Sequence, residues 1–498
     1  MEQQQVRKNN IKKLFRWLLN IVLVFITIPF VLTFMFRDPM VQSLSARMIT
    51  KWLSEKTGYH IELDKVRLTV FKGLSFEGLK IDDHHGEVML HVNHLIAEPA
   101  FSDWSLLFLK FKSIEIDGAY FRYAQYREDD NFNLMIFLNK YLNTDSTQTK
   151  KSGRFHLNTA ELILTNSKFH LYDEHQHYAN EKGVNYADML IDSIYLYSHD
   201  FHLINDSLHL RVDSLFAHEK SGFRIDRMSA DFGISGTNLR AHNLLLDSYN
   251  SHLDLDLNFD YSSYGSYRYF LDSVIMTGDI RPSTINLGVI GYFADVMFQM
   301  PNTVGVSGFI TGPVSFMKGD HLRIKYGRTT RFYGNALIKG LPDFFTSYME
   351  AEIFELSVSA CDLKSFNLPD EEHKHIDLSD LVSCDELFVA KGSFKGYYED
   401  FETSLNVRAN EGVLNTDIVY KKTEEQGITV KANIKTDQFD MGELLDVQNV
   451  FGNVAMDVNV DAAGTSLNDM KIIVDGFLSS IDFMGYNCKR LATKASFL

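Results

Sequence analysis

Cysteine and proline are scarce, and positive charge is in deficit. The three cysteines, Cys361, Cys384 and Cys488, stand in no close-spaced motif, which removes support for a zinc framework. Cys361 and Cys384 are open to two fates, pairing in an oxidising compartment or persisting as buried thiols. Eight prolines in 498 residues leave no proline-rich linker or stalk. Lys and Arg number 49 against 65 Asp and Glu, a formal charge of −16. The stretch up to Phe36 carries five basic and one acidic residue, net +4, which leaves −20 on residues 37–498. A surface that acidic repels nucleic acid and gains nothing from anionic headgroups.

Catalytic signatures are missing as well. There is no G-x-S-x-G, no H-E-x-x-H, no P-loop and no dinucleotide fingerprint. His175-Gln176-His177 and His373-Lys374-His375 lack a third ligand at metal spacing and read as solvated loops. Glu128-Asp129-Asp130 and Asp370-Glu371-Glu372 read as charged turns rather than calcium sites. Asp254 and Asp256 fall in a strict strand alternation, so the wet face of a sheet is expected for them rather than acid/base work. No catalytic residue, metal site or cofactor is assigned, and an enzyme is not expected.

What the chain does hold begins with a greasy run. Trp17, Leu18, Leu19, Ile21, Val22, Leu23, Val24, Phe25, Ile26, Ile28, Phe30, Val31, Leu32, Phe34, Met35 and Phe36 dominate a stretch without a single charge. As a helix it would cover roughly 30 Å, the thickness of a bilayer's hydrocarbon core. Arg7, Lys8, Lys12, Lys13 and Arg16 precede it and predict a cytoplasmic N-terminus. No small-x-small cleavage site follows Phe36, so the run is expected to persist as a signal anchor. Residues from Arg37 onward would then lie outside the cytoplasm.

A second helix is marked at both ends. Asp38 is its expected cap, Pro39 suits the first helical position, and Gly58 suits the left-handed residue past the end. Val41, Leu44, Met48 and Trp52 make one apolar stripe, expected to cover the end of the body rather than the membrane surface, the opposite face not being strongly basic.

From Tyr59 the period changes to two. Ile61, Leu63, Val66, Leu68 and Val70 alternate with polar neighbours, and Phe71 to Asp82 reads as a glycine-broken turn feeding a strand. Gly118 marks a bend or bulge, and a short helix is predicted over Phe132–Leu142. Leu253, Leu255, Leu257 and Phe259 alternate cleanly, as do Leu208, Leu210 and Val212, and Val458 and Val460. Clean alternation predicts antiparallel strands with one apolar and one wet face. With 38 Phe and 23 Tyr, the chain is expected to be mainly β. A loose repeat, Val306–Gly312, Ala390–Gly396 and Phe451–Val454, follows candidate short helices at Ile285–Phe298, Asp362–Asn367 and Met441–Val447. The predicted organisation is 1–37 cytoplasmic tail and anchor, 38–142 capping helix and first β portion, 143–153 polar loop, then β portions at 154–300, 301–385 and 386–498. The last portion ends inside a strand, and a longer protein is expected.

So long an alternation leaves an apolar face to cover. It folds on itself as sandwiches, or curls into an open trough whose wall carries acyl chains. A resemblance bears on that choice. The anchor, the Asp38-Pro39 helix ending at Gly58, and Leu74-Ser75-Phe76-Glu77-Gly78-Leu79-Lys80-Ile81-Asp82 resemble the AsmA-like superfamily, and within it the TamB group of the Bacteroidetes kind. Lys220–Phe223, Gly312–Val314, Gly340–Asp343, Phe439–Leu445 and Met484–Tyr486 look like further phrases of that group. The resemblance implies an elongated antiparallel β-trough, or taco, held by an N-terminal transmembrane helix in the inner membrane, with its body in the periplasm. It implies passage of phospholipid toward the outer membrane and a partner barrel of the Omp85 type (TamA-like), engaged through a region with no counterpart here. Under that reading Leu208, Leu210, Val212, Leu253, Leu255, Leu257, Phe259, Val458 and Val460 are the expected lipid-groove residues, and Leu255→Asp is expected to hinder transfer without unfolding the body. The competing expectation is a scaffold for outer-membrane protein assembly that pairs exposed strand edges with client strands.

Overall fold

Alternating apolar and polar residues become strand over most of the computed structural model. It describes residues 27, 31, 38–69, 73–100, 108–142, 156–176, 182–204, 207–368, 384, 386–423, 427–444, 450–465 and 470–497. The apolar run Trp17–Phe36 lies outside these residues apart from Thr27 and Val31, as do the loop 143–153, His177 and the stretch 370–375. No helix among the described residues is long and apolar enough to cross a membrane. The chain divides into two units, Met1–Arg224 and Ile225–Leu498.

The first unit opens with helix α1 (Pro39–Thr57). Asp38 caps it by accepting from the Met40 N–H at 2.7 Å, and Gly58 ends it at φ 70° while donating to the Ser54 carbonyl. Eight strands follow: β1 (Ile61–Glu62), β2 (Lys65–Thr69), β3 (Gly73–Asp82), β4 (Val88–Pro99), β5 (Phe108–Gln125), β6 (His156–Asp173), β7 (Asp188–Ile204) and β8 (Ser207–Glu219). β1 and β2 share one edge of β3, and the sheet continues β3–β4–β5–β6–β7–β8. Gly118 takes φ 65° within β5, where a Cβ would collide with the Asn93 side chain. Helix α2 (Asn133–Leu142) starts one residue later than its apolar pattern predicts.

The all-antiparallel expectation fails at one ladder. β5 and β6 run parallel, from Phe108 beside His156 to Gln125 beside Asp173. Between them lie α2 and the polar loop, a connection long enough to return the chain to the starting end of β5, which a tight hairpin never does. The sheet is therefore mixed.

The second unit begins one residue into β9 (Arg224–Ile234). It continues through β10 (Asn238–Ser248), β11 (Ser251–Asp260), β12 (Ile275–Asn286), β13 (Thr303–Gly312), β14 (Phe316–Tyr326), β15 (Thr330–Lys339), β16 (Tyr348–Ser359), β17 (Leu387–Tyr397), β18 (Asp400–Ala409), β19 (Gly412–Thr423), β20 (Gly427–Asp440), β21 (Phe451–Gly464), β22 (Lys471–Phe483) and β23 (Tyr486–Phe497). Each strand pairs antiparallel with its sequence neighbour, and β9 and β23 share no ladder, so the series stays open. Helical turns interrupt it at Tyr264–Ser273, Leu287–Ile290, Asp295–Gln299, Ala360–Ser365 and Met441–Leu444; the second and fifth lie within stretches expected to be helical, and the third and fourth overlap them.

Register irregularities recur. Every one of the eight ladders from β9–β10 to β16–β17 has one. Asn243 of β10 and His321 of β14 hold positive φ where the irregularities of both neighbouring ladders fall. A bulge bends its strand and tightens the local twist, so these strands are bent in succession. Ala360–Ser365 pins the unit locally. Asp362 accepts from the N–H groups of Arg328, Thr329 and Thr330 and from both threonine hydroxyls, all within 3.1 Å. Burial raises its pKa, but these donors outweigh it and hold the carboxyl well below the usual range. Next to it Cys361 is disulfide-bonded to Cys384, Cα to Cα 4.6 Å, while Cys488 is free.

Candidate functional site

The second unit presents a broad apolar face. From β17 to β23 one transverse row reads Phe394, Thr403, Ile418, Ala432, Val460, Val474 and Ala495, each the register partner of the next. A second row reads Phe401, Tyr420, Val430, Ala462 and Ile472. Phe401 stacks on Tyr420 at 5.0 Å and lies 5.2 Å from Phe394. Aromatic pairing across strands lends the face stiffness.

The burial of this face is telling. In β18 and β19 the residues Phe401, Thr403, Leu405, Val407, Leu414, Thr416, Ile418 and Tyr420 are all half-buried and none is buried. Lateral neighbours shield them in part. A facing sheet packed at about 10 Å would interdigitate with them and complete their burial. The other face of β17–β21 carries ion pairs, with Lys395 to Glu402 at 3.0 Å, Lys421 to Asp400 at 2.9 Å and Lys435 to Asp457 at 3.3 Å.

The nine expected groove residues divide. Val458 and Val460 lie on this face, Val458 buried and Val460 half-buried. Leu255 is 8 % exposed and packs with Ala230, Ala241 and Leu244, with Leu253, Leu257, Leu246 and Ile280 around them. Phe259 meets the edge of Phe270 at 5.6 Å, on the helical turn that follows β11. In the first unit Leu210 and Val212 are buried and Leu208 is half-buried. Leu255→Asp would bury a carboxylate inside a packed cluster, so the expectation that it spares the fold is corrected. Ile418 and Leu405, which alternation alone did not single out, are half-buried like Val460 and lie on the same face.

Asp254 and Asp256 project to the opposite side and clamp Arg281, at 2.6 Å to Nε and 3.2 Å to a terminal nitrogen. The Asn243 N–H, then Arg281, lower the Asp256 pKa. With its pKa lowered and its carboxylate bound to Arg281, Asp256 is unsuited to passing protons.

Helix α1 departs from expectation. Gln42, Ala46 and Thr57 face the sheet; of the expected stripe Val41 is half-buried, while Leu44, Met48 and Trp52 are 58, 67 and 56 % exposed. The reason lies at its C-terminal turn. Ser54 Oγ accepts from the Ile61 N–H and Thr57 Oγ1 from the Tyr59 N–H, while Gln42 Oε1 accepts from Arg67. These polar contacts fix the helix's rotation and turn the apolar stripe outward.

One chemical cluster escaped the sequence reading. His84 and His85, in the β3–β4 turn, both point at Asp129 beyond β5. Their ligand-type atoms lie within 4.8 Å of one another. The adjacent histidines were the available signal, but their partner is 44 residues away in a turn read as mere charge.

Comparison with known families, with curated proteins and with solved structures finds no match.

Proposed function

We propose that this chain is a membrane-anchored, non-enzymatic carrier whose apolar β-face holds phospholipid acyl chains, as an AsmA-like, TamB-type protein of the inner membrane and periplasm would in supplying the outer membrane. The observation that carries the reading is the half-buried apolar face of β18 and β19, continuous by register with β20–β23. An apolar surface of that extent wants a nonpolar occupant. The disulfide suits an oxidising compartment. Helix α1 begins at Pro39, just past the end of the apolar run at Phe36, and its exposed Leu44, Met48 and Trp52 suit a helix resting on the bilayer surface.

The mechanism is passive. Moving acyl chains from water onto such a face is worth about 0.8 kcal/mol per methylene, so sixteen give roughly 13 kcal/mol. Sliding from one row to the next exchanges equivalent contacts and keeps the barrier low, while the headgroup stays in solvent. Native mass spectrometry of the full chain extracted in mild detergent tests this: diacyl phospholipid remains bound. A lipid-free chain that captures unfolded outer-membrane strands instead would replace the carrier by the assembly scaffold.

A further inference from the structure

We propose that His84, His85 and Asp129 form a binding site for a borderline divalent cation, zinc above all, at one end of the first unit. The proposal is independent of the lipid reading. His84 Nε2 lies 2.7 Å and His85 Nε2 3.3 Å from the same Asp129 oxygen, Oδ2. Ligand atoms around a tetrahedral zinc at ~2.0–2.2 Å stand roughly 3.3 Å apart, so small side-chain rotations suffice. The metal would take the place of the two N–H groups converging on one oxygen, each neutral imidazole then carrying its proton on Nδ1, and leave a fourth position for water. Two imidazoles and one carboxylate suit zinc, nickel or copper, and disfavour calcium and magnesium, which take oxygen ligands.

Both ligand carriers are held in place by bonds that the metal would not disturb. Asp83 Oδ1 accepts from the His85 and Glu87 N–H groups, which shapes the histidine turn. Asp83 Oδ2 accepts from the Tyr126 hydroxyl at 2.6 Å and from the fully buried Asn133 at 3.3 Å. The Tyr126 ring sits 4.0 Å from that of His85. On the other side the Asp129 N–H donates to the Tyr126 carbonyl, and its own carbonyl accepts from Gln125 and from His175 Nε2. His175 meets only carbonyl oxygens there, at 3.0 and 3.1 Å, so its Nε2 carries the proton and serves as a brace rather than a ligand. Such outer contacts are what orient the ligands of a metal site. Bound metal would staple the β3–β4 turn to the turn after β5.

The test is zinc titration, by calorimetry, of the full chain in detergent, free of any histidine tag and stripped with chelator. One site is expected. His84→Ala/His85→Ala should weaken binding at least a hundredfold and Asp129→Asn at least tenfold, while His202→Ala/His209→Ala, a stacked pair elsewhere in the unit, leaves it unchanged. Zinc should raise the thermal midpoint of the wild type and not of His84→Ala/His85→Ala, and calcium should do neither. Equal zinc affinity in the wild type and His84→Ala/His85→Ala, or no zinc bound by the wild type, would overturn the site. Zinc-free unfolding midpoints that agree between the two rule out misfolding as the cause of any loss.

Discussion

Ile418 and Val419 are neighbours on β19 and face opposite ways. Ile418 is half-buried between Thr403 and Ala432, and Val419 is 43 % exposed between Glu402 and Lys431. Replacing either with Asp introduces the same charge into the same strand. For Ile418→Asp, losing half the burial of the side chain costs ~1 kcal/mol, and the poorer strand propensity up to ~1 kcal/mol more. Folding should survive. The carboxylate keeps its water, so about three methylenes of a passing acyl chain lose contact, ~2.4 kcal/mol or roughly fiftyfold in local affinity. Val419→Asp should cost less stability and leave lipid alone. Lipid-to-protein ratio after equal purification, with circular dichroism to check folding, reads the difference. Equal lipid in the two variants would refute the argument, since the faces would then be equivalent to the ligand.

Other outcomes follow from single contacts. Asp362→Ala strands three backbone N–H groups and should destabilise the second unit by about 3 kcal/mol in chemical denaturation. Because the folded Asp362 pKa is lowered, its stabilisation is complete above the unfolded carboxylate value of ~3.9 and fades as the pH falls through the folded value; Asp362→Asn should flatten that acid limb. Gly118→Ala forces a Cβ into the left-handed region against Asn93 and should cost at least ~1 kcal/mol. With Trp17 and Trp104 replaced by Phe, Trp52 of the bilayer-reconstituted chain should be quenched by brominated acyl chains, and quenching by aqueous iodide alone would place α1 away from the membrane.

Much of this fold was legible because its signals are local. The Asp38 cap, the Gly58 stop and the alternation of β8, β11 and β21 depend on residues a few positions apart, and each stands in the structure. The bulges were half-legible. Leu239 and Ala241 alternate in one phase and Leu244 and Leu246 in the other, and the slip falls at Asn243, a residue that tolerates positive φ. Long-range relations were opaque. The parallel β5–β6 ladder depends on where a 30-residue connection lands, and the rotation of α1 depends on hydrogen bonds to strands not yet placed. The faces show the same limit. Period two says that Leu255 and Ile418 each lie on an apolar side, and it is silent on whether packed neighbours or open space lies above. Leu255 has the neighbours. Asp129 likewise gains its meaning only when β5 brings it beside His84 and His85.

The most direct measurement is a contact map from phospholipid bearing a diazirine in its acyl chain, photolysed with the full chain in bilayers and read by peptide mass spectrometry. Adducts are predicted on Leu405, Ile418, Tyr420 and Val460, with Val413 and Val419 on the reverse of β19 spared. Adducts confined to the Trp17–Phe36 run, or spread evenly over both faces of β19, would contradict the account.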